Sequence, residues 1–248
     1  MLLHVYGVAD AGSVNDAELE GLRGERVRQV VSNGLAALVS PVPDDVQVGR
    51  KDLLAHAHVL EQLTETTTVL PMQFGMALAG EDQVREHVVD ADHPRLRDLL
   101  ESLDGTVQLT VKGYHEEEPA LREVLRRSPE VEECRRRMAS MPQEATYYQR
   151  IQFGERIAGL LARLRAEDAA HIHGRLAPMA LRSAEEEATA THQVMNAAFL
   201  VRRETRPTFD QAVTGLAEEL ASRLRLRYVG PQPPYAFVDR PVGEPAWA

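Results

Sequence analysis

Two proline-stiffened stretches decide how this chain is read: Thr68-Val69-Leu70-Pro71-Met72-Gln73-Phe74-Gly75 and Val229-Gly230-Pro231-Gln232-Pro233-Pro234-Tyr235-Ala236-Phe237-Val238. Proline fixes φ and removes an N–H donor, so both stretches run extended. They hold apolar side chains on a backbone with little entropy left to lose. Such segments suit packing and docking. Neither carries a nucleophile, an acid–base pair or a phosphate-binding loop.

Toward the N-terminus of the first stretch the pattern is β-rich. Leu2 to Val8 reads as a strand, Asp10 to Ser13 as a turn, and Asn15 to Gly24 as a loop with a short helix. Arg26 to Val31 and Leu35 to Ser40 flank Asn33-Gly34, a strong hairpin signal, so a small antiparallel sheet is expected, ended by Pro41 and Pro43. From Lys51 the period lengthens: Leu53, His56, Leu60, Leu63 and Thr67 recur at helical spacing and predict a stripe packed on that sheet. Glu81 to Val89 and Pro94 to Leu103 predict two more helices, the second capped by Asp92 with Pro94 in its first turn.

Asp104-Gly105 marks a boundary, and a second pattern begins. Val107, Leu109 and Val111 alternate as a strand, and Glu116 to Met141 reads as short helices standing off the core. Gln143 to Arg165 predicts a long helix with an apolar face of Tyr147, Ile151, Phe153, Ile157, Leu160, Leu161 and Leu164. Leu176 to Ser183 and Val194 to Arg203 read as paired strands around Glu185-Glu186-Glu187. Phe209, Val213, Leu216, Leu220 and Leu224 line a further helix, and Leu224, Leu226 and Tyr228 form a last strand. The fold class is α+β, in two α+β domains. Residues 1–104 form the first; 105–230 form a ferredoxin-like unit (strand, helix, strand, strand, helix, strand) with a helical insertion at about 116–141. Residues 231–248 form an extended proline-rich tail that folds back between the domains and buries Tyr235 and Phe237.

Composition narrows the function. The formal charge of −10, from 28 Lys and Arg against 38 Asp and Glu, opposes binding to nucleic acid, which needs clustered cations. The single cysteine, Cys134, leaves no intrachain disulfide and no cysteine-based zinc cluster. No apolar run approaches the ~20 residues that span a bilayer, and Met1-Leu2-Leu3-His4 lacks the start of a signal peptide, so the chain reads as cytoplasmic.

Catalytic chemistry finds no frame. His56 and His58 lie two apart on a helix and do not share a face, so His56 reads as a structural histidine on the apolar stripe. His171 and His173 fall in a turn-like region before Gly174 and read as a surface pair. The acidic runs Glu116-Glu117-Glu118, Glu132-Glu133, Glu185-Glu186-Glu187 and Glu218-Glu219 read as solvated faces, without the contrasting environments that catalytic carboxylates need. No Gly-x-Ser-x-Gly elbow or glycine-rich phosphate loop is present. No catalytic, cofactor-binding or metal-ligating residue is assigned.

Six segments in order carry a resemblance. They are Leu3-His4-Val5-Tyr6-Gly7-Val8, Gly34-Leu35-Ala36-Ala37-Leu38-Val39-Ser40, Asp52-Leu53-Leu54-Ala55-His56-Ala57-His58-Val59-Leu60-Glu61, Val69 to Gly75, Ala197-Ala198-Phe199-Leu200-Val201, and Gly230-Pro231 to Val238. Together they resemble the gas vesicle protein F/L family over almost the whole chain. Gln73 and Gln232 stand where basic or aromatic residues are expected, and Ala236 where serine is usual. The resemblance implies two α+β domains, the second a modified ferredoxin fold, and a C-terminal tail between them. It makes His56, Pro71, Phe74, Gly75, Gly230, Pro231, Pro234, Tyr235 and Phe237 the family-signature residues, holding the fold together rather than touching a partner.

The function it implies is a non-catalytic accessory or minor structural protein of gas vesicle assembly. Its partners would be the small, hydrophobic major gas vesicle shell protein, kept from aggregating during nucleation, and other gas vesicle accessory proteins. It would end on the particle, on the gas-facing surface. No nucleic acid, lipid membrane, cofactor or small-molecule substrate is implied. A second reading is a small-molecule-binding regulatory module on a ferredoxin-like fold, which a deep pocket with convergent polar groups would favour. A third is a hydrolase or metalloenzyme built on His56 or on His171 and His173.

Overall fold

The computed structural model describes residues 2–14, 19–43, 49–139, 147–186, 190 and 192–238. Parts of several expected features lie outside these residues: the start of the Asn15–Gly24 loop, residues 140–146 before the long helix, Glu187, and the tail from 239 on. The chain divides into two compact units. One comprises residues 1–109, 200–204 and 229 onward; the other comprises 110–199 and 205–228.

The first unit is built on an antiparallel sheet of β1 (Leu2–Asp10), β2 (Arg28–Ser32), β3 (Leu35–Val42), β4 (Leu70–Pro71) and β5 (Ala77–Ala79). Its path is β2-β3-β1-β4, with β5 also on β1. Residues Leu3 to Ala9 of β1 are all buried, which is why this strand reads as a continuous apolar run rather than an alternation. The β2–β3 hairpin turns at Asn33 and Gly34, with φ of 48° and 82°, the left-handed pair that Asn-Gly supplies at low cost. The β1–β3 register slips between Val5 and Gly7, leaving Tyr6 without an opposite residue.

Helix α1 (Arg50–Thr66) begins where the Asp52 carboxylate accepts the Gly49 N–H at 2.9 Å. Its buried line is Asp52, His56, Val59, Leu60 and Leu63. The expected stripe is corrected at one point: Leu53 is 47% exposed and Leu54 58%, because the face toward the sheet runs one residue earlier. The Arg203 guanidinium donates to the carbonyls of Thr64 and Thr67 at the end of this helix, where an incoming cation meets orphan acceptors. Pro71 sits in β4 at the sheet's edge, where a missing donor is tolerated. Helix α2 (Gly80–Val84) passes into a π-helical turn, Arg85–Asp90, and α3 (His93–Leu103) follows. Asp92 stands at the start of α3, but its carboxylate meets Arg95 at 3.3 Å and makes no capping hydrogen bond.

The second sheet comprises β6 (Thr106–His115), β7 (Arg182–Glu185), β8 (Gln193–Arg202) and β9 (Leu224–Gln232), antiparallel in the order β7-β8-β6-β9. Between β6 and β7 come α4 (Glu117–Arg127), α5 (Pro129–Ala139) and α6 (Tyr147–Leu176); α7 (Arg206–Leu220) links β8 to β9. Three sequence expectations are corrected here. Helix α6 does not stop near Arg165 but continues to Leu176, taking in His171 and His173, because Leu164, Ile172 and Leu176 keep burying one side. A 3-10 turn, Ala177–Met179, then replaces the first half of the expected strand, and β7 starts only at Arg182. The insertion does not stand off the core: Ala120 and Val124 of α4 pack with Leu164, Ile157, Leu160 and Leu161 of α6. At the other end of α6 the expected apolar face is partly open at Ile151, 46% exposed.

Strand β9, at the sheet edge, carries on through Pro231 to Gln232 before the chain turns in a 3-10 turn, Tyr235–Phe237. The Ala236 N–H donates to Gln108 Oε1 at 2.8 Å. Of the two tail aromatics expected to be buried, Phe237 is (2% exposed), whereas Tyr235 is 44% exposed. Phe237→Ala is therefore expected to cost about 3 kcal/mol, by loss of transfer energy plus a cavity, and Tyr235→Ala well under half that. Urea unfolding of the two variants measures this; equal losses would contradict the burial.

Candidate functional site

The signature residues fall in two places within the first unit. His56, on α1, meets Phe74, just after β4, with ring centroids 5.6 Å apart. Gly75 makes the turn that follows, at φ 100°. The tail residues Gly230 and Pro231 lie in β9, and Pro234, Tyr235 and Phe237 follow it. At Gly230, with φ 145°, a Cβ would lie 2.8 Å from Leu109 Cδ2 and 2.9 Å from the Gln108 carbonyl oxygen, so only glycine fits.

His56 is not a solitary core histidine. His4, on β1, approaches it with Nε2 2.9 Å from His56 Nδ1, so one ring must donate and the other accept. Tyr6 stacks on His56, with centroids 5.4 Å apart and an interplanar angle of 20°, and His4 meets Tyr6 edge-on at 4.8 Å. Tyr6 Oη shares a 2.7 Å hydrogen bond with Ser40 Oγ and accepts the Leu22 N–H at 2.7 Å. A Cβ on Gly21 would lie 2.1 Å from that hydroxyl.

Burial keeps this cluster uncharged. It pushes His4 down to about 4, assisted by His56 and opposed by Asp52. Burial likewise lowers His56; the Met72 carbonyl opposes the shift but makes no well-formed hydrogen bond with it. The Tyr6 hydroxyl is pushed up, again by burial. A base with a depressed folded pKa binds its proton more readily in the unfolded chain. Its contribution to stability is therefore complete above the ordinary histidine value of 6.5 and is lost as pH falls from there toward 4. From His4 alone, unfolding free energy should drop by about 2 kcal/mol between pH 7.5 and pH 5. Urea midpoints at the two pH values check this, and a flat profile would rule out a buried neutral pair.

The second unit holds a cluster that sequence reasoning missed. Asp168, 3% exposed on α6, accepts from His115 Nε2 at 2.9 Å and from Arg223 through two bonds, Nε at 3.0 Å and Nη2 at 2.6 Å. Burial is the largest influence on its carboxyl and acts upward, but the bonds to His115 and Arg223 together outweigh it and hold the group below its usual range. The available signal was an acid in register with an apolar stripe: Leu164, Asp168, Ile172 and Leu176 recur every four residues, all buried. His115 also lines a cleft of about 480 Å³ at the end of β6.

The histidines of the third sequence reading are dispersed. His171 pairs with Glu219 at 2.9 Å, and His173 contacts Ser183 Oγ at 3.2 Å. Among the described residues no three His, Cys, Asp or Glu side chains converge as a metal site, and no helix is long and apolar enough to cross a membrane.

The sequence pattern of a known family, described as gas vesicle synthesis protein GvpL/GvpF, matches residues 2–239. The chain belongs to this family. Gas vesicle protein F of Streptomyces sp. (strain CB03234) is 34% identical over 247 residues, covering 96% of this chain and 100% of the relative. Among solved structures, gas vesicle protein GvpF from Microcystis aeruginosa is similar with a TM-score of 0.77 and 25% identity, over 96% of this chain and 99% of that one. GvpF from Anabaena sp. PCC7120 has a TM-score of 0.83 at 24% identity, over 96% and 98%, and shows the shared fold. The mixed helix-and-strand architecture with two antiparallel sheets is thus the architecture of GvpF. Membership of the GvpL/GvpF family supports a role in gas vesicles, within a family known as structural or accessory rather than enzymatic.

Proposed function

We propose that this protein is a non-catalytic assembly component of gas vesicles. It binds the small hydrophobic major shell protein before incorporation and keeps it from aggregating during nucleation. The observation that carries this reading is the family match from residue 2 to residue 239, joined to buried polar side chains, among them His4, Tyr6, Asp168 and Arg223, that are engaged in bonds within the fold. A free shell subunit exposes apolar surface that would self-associate, and a partner with a net charge of −10 would disperse the pair by repulsion. The adjacent exposed leucines of α1, Leu53 and Leu54, supply an apolar contact on an otherwise polar helix face. The signature residues act at one remove, fixing α1 against its sheet and anchoring the tail. The β-α-β-β-α-β succession and the order β7-β8-β6-β9 support a ferredoxin-like reading of the second sheet. On this reading the protein works in the cytoplasm with the shell protein and other accessory proteins, and remains on the finished particle at its gas-facing surface.

Co-expression tests the reading. The shell protein, insoluble alone, should move into the soluble fraction with this chain and co-purify with it. The Leu53→Glu, Leu54→Glu double variant should fold normally by circular dichroism yet retain much less shell protein. Shell protein left wholly in the pellet would end the chaperoning reading; undiminished capture by the double variant would move the contact away from α1.

A further inference from the structure

We propose that the cleft at the end of β6 binds a small zwitterion of the amino-acid class, its carboxylate on Arg165 and its ammonium between His115 and Glu117. At about 480 Å³ the cleft falls within the range of small-molecule sites. Leu161 and Ala120 give it an apolar floor, and the Tyr114 ring, 5.7 Å from that of His192, flanks it.

The charges on its wall are unevenly matched. Arg225 is engaged by Glu116 at 3.8 Å. Arg165, half-buried on α6, has no carboxylate partner among the described residues, and neither has Glu117 a cation. An unopposed guanidinium in a partly dry cleft favours a planar, singly charged acceptor such as a carboxylate, which its fork meets with two parallel bonds.

His115 sets the rest of the preference. Its Nε2–H is given to Asp168, whose carboxylate is clamped by both nitrogens of Arg223, so the tautomer is fixed from behind. In the neutral ring the remaining nitrogen, Nδ1, is an acceptor, and it has no partner among the described residues. A simple carboxylate would satisfy Arg165 but leave Nδ1 and Glu117 without a donor. A simple amine would do the reverse. A molecule with both groups satisfies all three, and the apolar floor suits an apolar side chain.

Titration calorimetry of the full chain with leucine and phenylalanine tests this, alongside 4-methylvaleric acid and isoamylamine, which lack leucine's amine and carboxylate respectively. The amino acids should bind, and each truncated analogue should bind at least about 10-fold more weakly, as for one lost charge-assisted bond. Arg165→Gln and Glu117→Gln, changed outside the buried cluster, should keep the circular dichroism spectrum and each lose about 10-fold in affinity. Absence of heat with either amino acid at about 20 mM would overturn the proposal. So would equal binding of 4-methylvaleric acid, or unchanged binding by the Arg165 variant.

Discussion

Asp168→Ala is expected to lower unfolding free energy by about 4 kcal/mol at neutral pH, the range found when one partner of a buried ion pair is removed. The carboxylate is almost sealed from solvent and satisfies three donors, His115 Nε2, Arg223 Nε and Arg223 Nη2. Deleting it strands a guanidinium whose side chain is only 16% exposed and an imidazole only 4% exposed. The pH dependence gives a second check. The Asp168 carboxyl is held below its usual range, so its contribution is complete above the ordinary carboxylate pKa of about 3.9 and fades as pH falls through the folded value. The gap between wild type and variant should therefore narrow in acid. Replacing all three residues together by apolar ones of similar size should cost far less than the single change, because no charge is left buried alone. A loss under about 1 kcal/mol for Asp168→Ala would show the cluster to be incidental.

Gly21→Val should be comparably damaging, again about 4 kcal/mol, for a steric reason. Its Cβ would lie 2.1 Å from Tyr6 Oη, 3.0 Å from Cζ and 3.1 Å from Ser40 Oγ. Tyr6 is fully buried and cannot swing aside without leaving the Leu22 N–H and Ser40 hydroxyl unpaired. Since the first added carbon already collides, Gly21→Ala should be nearly as costly. Tyr6→Phe removes the struck atom, so the Gly21→Ala, Tyr6→Phe double variant should be more stable than Gly21→Ala alone, although Tyr6→Phe by itself destabilises. Thermal or urea unfolding of the four proteins closes the cycle. Additive losses would mean that the two residues do not meet.

Local chemistry made some of this legible in the sequence and tertiary chemistry hid the rest. Asn33-Gly34 announces its hairpin because the turn needs two left-handed residues and those two supply them cheaply. The order of strands and helices in the second half follows from periodicity, and the structure keeps it. The end of α6 was hidden because His171, His173 and Gly174 look like turn residues in isolation. They are carried through by burial of Ile172 and Leu176, which a local window undervalues. His56 was visible as a histidine on an apolar stripe. Its partners were not: His4 and Tyr6 are about fifty residues away and meet it only when β1 packs on α1. Asp168 stood among charged neighbours on α6, and its register with Leu164, Ile172 and Leu176 marks it as facing inward only once the helix is known to run past Arg165.

The piecewise make-up of the first unit bears on how the polypeptide leaves the ribosome. A nascent chain that has emerged only to residue 109 lacks Arg203, which closes the end of α1, and Phe237, which the finished unit buries. That unit cannot complete itself until residues 229–238 have emerged, and residues 110–199 must wait in turn for 205–228. Both units therefore close over long sequence separations, the kind of contact that slows folding. Fragments cut at the obvious midpoint should be poor substitutes for the intact protein.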